Sequence, residues 1–416
     1  MFNRLQKIYH DFPKKFWVVV ATSFIDRIGG TLLFPFFTLY ITQKFGVGMT
    51  QAGLVLGTFS AFGLIGSAIG GALTDKFGRK SLILFGLVFS AVSTLSLGLV
   101  NEFSLLIPVA VVIGLLSNIA GPAHQAMVID LLPEEKRQEG FGKLRVVGNM
   151  AWIIGPTIGG FIADKSFFAF FVLDAVVSCI VAVIVFMYIP ETKPETSGDS
   201  ESILKTFAVY RIVFKDYAYL AFLFAAMLMG LVYQQLYNSL SVYLRDNHGI
   251  HPQGFGFLLT ASAITVILLQ FTTTRIIKKY PAFIMMAVGV FFYMIGFGMF
   301  GFVTAYWLFV VAVLIITIGE MVIIPTASAL AANFAPEDMR GRYMAVFGLS
   351  WAIPATIGPT AAGLILDNYN PNLLWYVGAG ICAISVACFY GLHLWLGKRE
   401  RFNPPEPEAG AVVASS

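Results

Sequence analysis

Twelve separate apolar runs, each of about the 20 residues needed to cross a bilayer as a helix, leave this chain one class of fold. They lie at about 16–40, 51–73, 81–100, 104–131, 141–163, 167–189, 218–243, 254–276, 282–304, 306–333, 341–366 and 373–396. In hydrocarbon no water can satisfy an open backbone N–H or C=O, so such a run must close its own hydrogen bonds as a helix. The expected fold is all-α and integral to the membrane, with twelve transmembrane helices. Of 416 residues, 57% are apolar and only 12% charged, against roughly 45–50% and about 25% in soluble chains. That balance excludes a soluble enzyme, a disordered chain and a nucleic-acid binder. Cys179, Cys382 and Cys388 all fall inside apolar runs, so neither a disulfide framework nor a metal site is indicated. The first run is too long for a signal-peptide core and is expected to stay in the mature protein.

The placement of Lys and Arg tests the count. With the N-terminus in the cytoplasm, 22 of the 27 fall in cytoplasmic segments or at the cytoplasmic ends of the runs; Lys44, Lys165 and Arg245 lie outside, and Arg27 and Arg145 lie within spans. This asymmetry obeys the positive-inside rule. Both termini are expected in the cytoplasm and the chain in a cell membrane, of the bacterial inner-membrane kind. The longest connection, about 190–217, separates two expected six-helix bundles, 1–189 and 218–396. Pro190, Pro194, Ser197, Gly198 and Ser200 read as flexible linker. Ile203, Leu204, Phe207 and Ala208 share one helical face, so Glu201–Asp216 reads either as a short helix on the membrane surface or as unstructured chain. Residues 397–416 are expected to be a disordered cytoplasmic tail.

The halves repeat at an offset of 203 residues. Pro122 matches Pro325, Arg137 matches Arg340, Gly155-Pro156-Thr157 matches Gly358-Pro359-Thr360, Gly160 matches Gly363, and Asp164 matches Asp367. Over 122–164, 12 of 43 positions are identical without a gap. Duplication of a six-span unit follows, and transporters built from such repeats place their substrate near mid-membrane.

The segment after the second run reads Gly71-Ala72-Leu73-Thr74-Asp75-Lys76-Phe77-Gly78-Arg79-Lys80. It resembles the signature of the major facilitator superfamily, with Lys76 in place of an Arg. The resemblance implies two pseudo-symmetric six-helix bundles and a conformational latch made of Gly71, Asp75, Gly78, Arg79 and Lys80, with Asp130 at the end of span 4 as the acidic partner. Span 5 carries Gly155-Pro156-x-x-Gly159-Gly160, preceded by Gly142 and Ala151. This resembles the helix-packing motif of the drug:proton antiporter branch, with Ala151 replacing one Gly; Gly-Pro in a membrane helix also serves simple packing. Asp26 and Pro35 keep the acid-to-proline spacing of a further motif in that branch. The Arg that many such antiporters carry in span 4 is absent: Ser117 stands four residues before Gly121. Arg145 and Arg27 are the available substitutes.

Five ionisable residues lie inside spans: Asp26, Arg27, Arg145, Asp174 and Glu320. Burial of such groups is costly, so each is expected to face a cavity or a partner. At 1.5 Å per residue, Asp26 lies about 15 Å into span 1 and Glu320 about 20 Å into span 10. Glu320 has no charge at i±3 or i±4, which suits either a proton carrier or a permanently protonated packing group. Asp26 reads equally as a structural ion-pair member or a coupling group, and Asp174 lies nearer the outer face. The resemblance implies that spans 1, 4, 7 and 10 line a central cavity. Gln234, Tyr237, Asn238, Asn118, His124, Gln125 and Gln270 are its expected polar contacts.

The expected function is proton-coupled secondary active transport, not enzymology. Efflux of amphipathic or hydrophobic compounds by antiport is the leading expectation; a transporter of one sugar, peptide or lipid precursor is the nearest alternative, and a non-transporting sensor a remote one. No cofactor is expected beyond the proton gradient. The expected partners are a small substrate, protons and lipid, with the chain acting as a monomer.

Overall fold

The computed structural model describes residues 11–193, 212–336 and 339–397, without the side chains of Asp75 and Gln138. The possible surface helix over 201–216 falls largely outside these residues, as does nearly all of the 397–416 tail. Among the described residues, twelve helical segments are long and apolar enough to span a bilayer. They are span 1 (Lys14–Phe45), span 2 (Met49–Thr74), span 3 (Arg79–Leu99), span 4 (Phe103–Leu131), span 5 (Glu134–Ala163) and span 6 (Phe167–Tyr188). Span 7 (Tyr217–Asn238), span 8 (Pro252–Ile277), span 9 (Ala282–Phe300), span 10 (Tyr306–Phe334), span 11 (Arg340–Asn368) and span 12 (Leu373–Leu396) complete the series. The all-α membrane fold is as the apolar runs require. The span 5 helix begins seven residues before its apolar run, because Pro133 sets the entry and Glu134 and Glu135 favour the positive end of the helix dipole.

Proline accounts for two of the deformed spans. Its ring removes one N–H and crowds the carbonyl four residues earlier. Span 1 is helical over Lys14–Leu33, tightens to a 3-10 turn at Phe34–Phe36 around Pro35, and resumes over Phe37–Phe45. Span 4 breaks between Ser117 and Ala120, just before Pro122. Span 10 stays continuous through Pro325. The carbonyl that Pro325 strands, that of Met321, accepts a hydrogen bond from Gln270 Nε2 at 3.2 Å. Span 7 is irregular without proline: its helix stops at Tyr233, a short turn covers Gln235–Asn238, and a further helix runs Leu240–His248.

The chain packs as two compact units. One comprises the described parts of Met1–Ser200 with Gln234–Ala263 and Ala355–Pro371. Its core gathers Phe12, Phe16, Leu82, Ile83, Met127 and Val185 around one end of spans 1, 3, 4 and 6. The other comprises the described parts of Glu201–Tyr233, Ile264–Pro354 and Asn372–Ser416. It is built on aromatic contacts: Phe222 stacks on Phe334 and Phe347, with ring centroids 5.5 and 6.0 Å apart, and Trp375 packs between Phe297 and Phe300. Many large apolar side chains remain exposed, Phe186, Phe271 and Leu268 among them. Such a surface suits lipid, which has no polar groups to lose.

Candidate functional site

The break in span 4 opens onto the principal cavity of the first unit. Its volume is about 860 Å³, and it is lined from span 1 by Ser23, Asp26 and Arg27, and from span 4 by Asn118, His124 and Gln125. Span 5 adds Arg145, Asn149 and Trp152. Six of the residues singled out by sequence therefore meet in one space. Trp152 was not among them, yet it forms a flat wall whose indole contacts Tyr237 edge-on, ring centroids 5.2 Å apart. Asp26 and Arg27 are consecutive and point about 100° apart on the helix. Among the described residues, no carboxylate lies within 4.0 Å of either Arg27 or Arg145.

Asp174 does not line this cavity. It is buried, its Oδ2 accepting a hydrogen bond from Thr94 Oγ1 at 2.7 Å. Its Oδ1 occupies the space that a Cβ on Gly29 would need. Gly29 follows Asp26 by one turn of the same helix, which brings the two carboxylates into one neighbourhood. Gln234 and Tyr237 are half-buried while Asn238 is buried, and the helix is interrupted at Gln234 and again at Ser239. Gln270 serves the backbone: its amide donates to Thr274 Oγ1 at 3.0 Å and to the stranded Met321 carbonyl.

In the second unit Glu320 is half-buried on span 10. The Tyr233 hydroxyl donates a hydrogen bond to its carboxyl. Among the described residues no cation lies within ion-pair distance of it. The neighbouring Gly319 is packed against the span 9 backbone at Gly289, where a Cβ would meet a carbonyl oxygen at 2.6 Å. That contact fixes the register of span 10 on either side of the acid.

A polar cluster closes the turn between spans 2 and 3. Arg79 Nε donates to Asp130 Oδ2 at 3.0 Å, and Thr192 Oγ1 donates to the same oxygen at 3.0 Å. Lys80 Nζ donates to the Phe186 carbonyl. Gly78 has φ +93°, and a Cβ there would come within 2.5 Å of Glu191 Oε2, so glycine is required for both conformation and space. Glu191, which the sequence placed in a flexible linker, caps span 3 in place of the missing Gly78 side chain. Its carboxylate accepts the N–H groups of Arg79 at 2.8 Å and Lys80 at 3.1 Å. A Cβ on Gly71 would meet open space. The Asp75 side chain lies outside the described residues.

The span 5 motif presents two faces rather than one. Ala151, Gly155 and Gly159 pack on span 1: the Ala151 carbonyl accepts from Thr31 Oγ1 at 3.0 Å, Gly155 has no room beside Thr31, and Gly159 lies against the Leu32 carbonyl. Pro156 and Gly160 pack on span 8, at Gly256 and at Pro252 and Gln253. A Cβ on Gly142 would meet open space. The repeat supplies the matching contact. Pro359 packs on Gly53, and Gly363 on Met49 and Thr50, each 203 residues from its counterpart. Beyond Gly363, Asp367 caps span 2, accepting the N–H of Met49 at 2.8 Å and of Thr50 at 2.7 Å. Its counterpart Asp164 lies 3.6 Å from His251 Nδ1.

Comparison with known proteins agrees with this architecture. The family model described as Major Facilitator Superfamily matches residues 19–251 and 235–415. A Na(+), Li(+), K(+)/H(+) antiporter of Planococcus maritimus is 26% identical over 421 residues, covering 93% of this chain and 96% of its own. Quinolone resistance protein NorA of Staphylococcus aureus strain N315 is 24% identical over 383 residues, covering 91% and 97%. Among solved structures, a POT family transporter in complex with a thioalcohol-conjugated peptide superimposes with a TM-score of 0.77 at 16% identity, over 93% of this chain and 96% of that one. The nucleoside transporter NupG gives 0.77 at 13% identity, over 91% and 99%. From its twelve spans, its internal repeat and the match along nearly its whole length, the chain belongs to the major facilitator superfamily and is a secondary active transporter of small solutes or ions.

Proposed function

We propose that the chain is a proton-coupled antiporter that exports amphipathic compounds across a bacterial plasma membrane, acting as a monomer with both termini in the cytoplasm. The observation that carries this reading is Glu320. A carboxyl inside a span, half-buried, held by a tyrosine hydroxyl and with no cation beside it among the described residues, is free to exchange a proton as its surroundings change. Support also comes from the cavity of about 860 Å³ with its mixed amide, aromatic and charged wall, a size in the usual range for small-molecule sites. A quinolone resistance protein and a cation/proton antiporter among the relatives point the same way.

Glu320→Gln tests it in proteoliposomes with an imposed pH gradient and a fluorescent amphipathic probe. Uphill transport is expected to collapse while exchange without a gradient persists. Unchanged uphill transport refutes the coupling role.

A second reading, exchange of a monovalent metal cation for protons, is favoured by the proximity of Asp26 and Asp174 around Gly29 and Thr94. Proton flux driven by a Na⁺ or K⁺ gradient in the same vesicles, abolished by Asp174→Asn, distinguishes it.

A further inference from the structure

We infer that the cavity of the first unit binds an organic anion, its acid group held between Arg27 and Arg145 and its apolar body laid against Trp152. The inference starts from an imbalance of charge. Of the residues that line the cavity, two carry guanidinium groups and one, Asp26, a carboxylate. Asp26 is consecutive with Arg27 but forms no ion pair with it, and neither arginine has a carboxylate within 4.0 Å among the described residues.

The two arginines line this one cavity from spans 1 and 5. Arg27 Nη1 lies 3.3 Å from the point a Cβ on Gly148 would occupy, so the side chain reaches across to span 5 over that glycine. Gly148 follows Arg145 by three residues on the same helix, the spacing of neighbours on a helical face. Two like charges lining one cavity inside a membrane protein repel each other, and among the described residues neither has an ion-pair partner. Planar guanidinium forks match the paired oxygens of a carboxylate or phosphate. Asn149 and Gln125 add amides on the same lining, and Trp152 offers an aromatic face for the remainder of the ligand. A substrate bearing one acid group and an apolar ring or chain satisfies each of these features; an amphipathic cation leaves both arginines uncompensated.

This assignment rests on the cavity being the substrate site, and it names the substrate class. Equilibrium binding, measured without any gradient, tests it, so its failure is distinguishable from failure of proton coupling at Glu320. The full chain in phosphatidylcholine nanodiscs is titrated with 1-naphthoate, 1-naphthyl phosphate, neutral 1-naphthamide and cationic 1-naphthylmethylammonium. The anions are expected to bind at least tenfold more tightly than the other two. Arg27→Gln and Arg145→Gln are each expected to weaken anion binding at least tenfold while leaving the amide unchanged, which also certifies the fold, and the Lys variants to restore part of the loss. Added phosphatidylglycerol identifies the source: competition with naphthoate assigns the site to a lipid headgroup, and no competition to a soluble anion. Both results support an anion site. Equal or tighter binding of the amide or the ammonium compound, no saturable anion binding, or equal weakening of all four probes by the Gln variants overturns it.

Discussion

Replacing Glu191 by alanine should loosen the start of span 3 and little else. The helix Arg79–Leu99 opens at Gly78, which has no side chain with which to cap it. Glu191 supplies the acceptor from a distance of 112 residues, taking the N–H of Arg79 at 2.8 Å and of Lys80 at 3.1 Å. Loss of a helix N-cap costs about 0.5–2 kcal/mol. Glu191 is exposed, so solvent screens its charge and replaces part of the lost bonding, and the lower half of that range applies, about 0.5–1 kcal/mol. That corresponds to roughly a two- to fivefold rise in the open population, at about 1.4 kcal/mol per tenfold. Hydrogen-exchange mass spectrometry in nanodiscs reads it directly: peptides covering residues 79–81 should exchange two- to fivefold faster in Glu191→Ala, with span 6 unchanged.

The same carboxyl fixes a pH dependence. Burial alone would raise its pKa, but the backbone donors of Arg79, Lys193, Thr192 and Ser81 outweigh burial and hold it below the ordinary glutamate range. The unfastened state therefore binds the proton more readily. Capping is complete above the ordinary value of about 4.3 and is lost as pH falls through the lowered one. Protection of residues 79–81, corrected for intrinsic exchange, should be flat from neutral pH down to about 5 and fall only in stronger acid. Equal exchange in the variant and the parent would refute the cap.

Two further predictions concern close approach. A Cβ at Gly53 would overlap the Pro359 carbonyl and lie 2.6 Å from the Thr360 nitrogen, whereas at Gly256 the nearest atom, the Pro156 oxygen, is 3.0 Å away. Overpacking against backbone that cannot step aside costs about 1–3 kcal/mol, so Gly53→Ala should lower the apparent Tm in detergent more than Gly256→Ala; the reverse order would refute the contact. Gly29→Ala should displace Asp174 from Thr94 and cost about 1–3 kcal/mol, the penalty of a buried acid left without its donor. Thr94→Val should then add little to it, and full additivity of the two in thermal unfolding would show that they do not act through Asp174.

The spans were legible in the sequence because bilayer crossing is set by length and polarity alone. The repeat was legible because glycine and proline positions are tied to backbone packing. The breaks were harder to place: Pro35 and Pro122 interrupt their helices, while Pro156 and Pro325 do not, and only the structure shows that in span 10 an amide from Gln270 takes up the stranded carbonyl. That same engagement removes Gln270 from the open polar wall on which its residue type alone placed it. Glu191 escaped notice because nothing local marks it; its Pro-Glu-Thr setting resembles any linker, and its partners lie 111 and 112 residues earlier in the chain. The span 5 motif was visible as small residues, but residues one apart on a helix point in different directions, so its division between two neighbours needed coordinates. Trp152 offered no pattern at all, since an aromatic beside a cavity and one facing lipid look the same in sequence.

The Gly–Pro contacts carry a consequence for symmetry. Pro156 rests on Gly256 and Pro359 on Gly53; each partner is the other's image after one shift along the chain. Such reciprocity, in which one patch meets its own copy, is the mark of an isologous dimer. Two copies of one six-span unit, paired about a twofold axis, would meet in this way. The two contacts are no longer equal, the one at Gly53 being tighter than the one at Gly256.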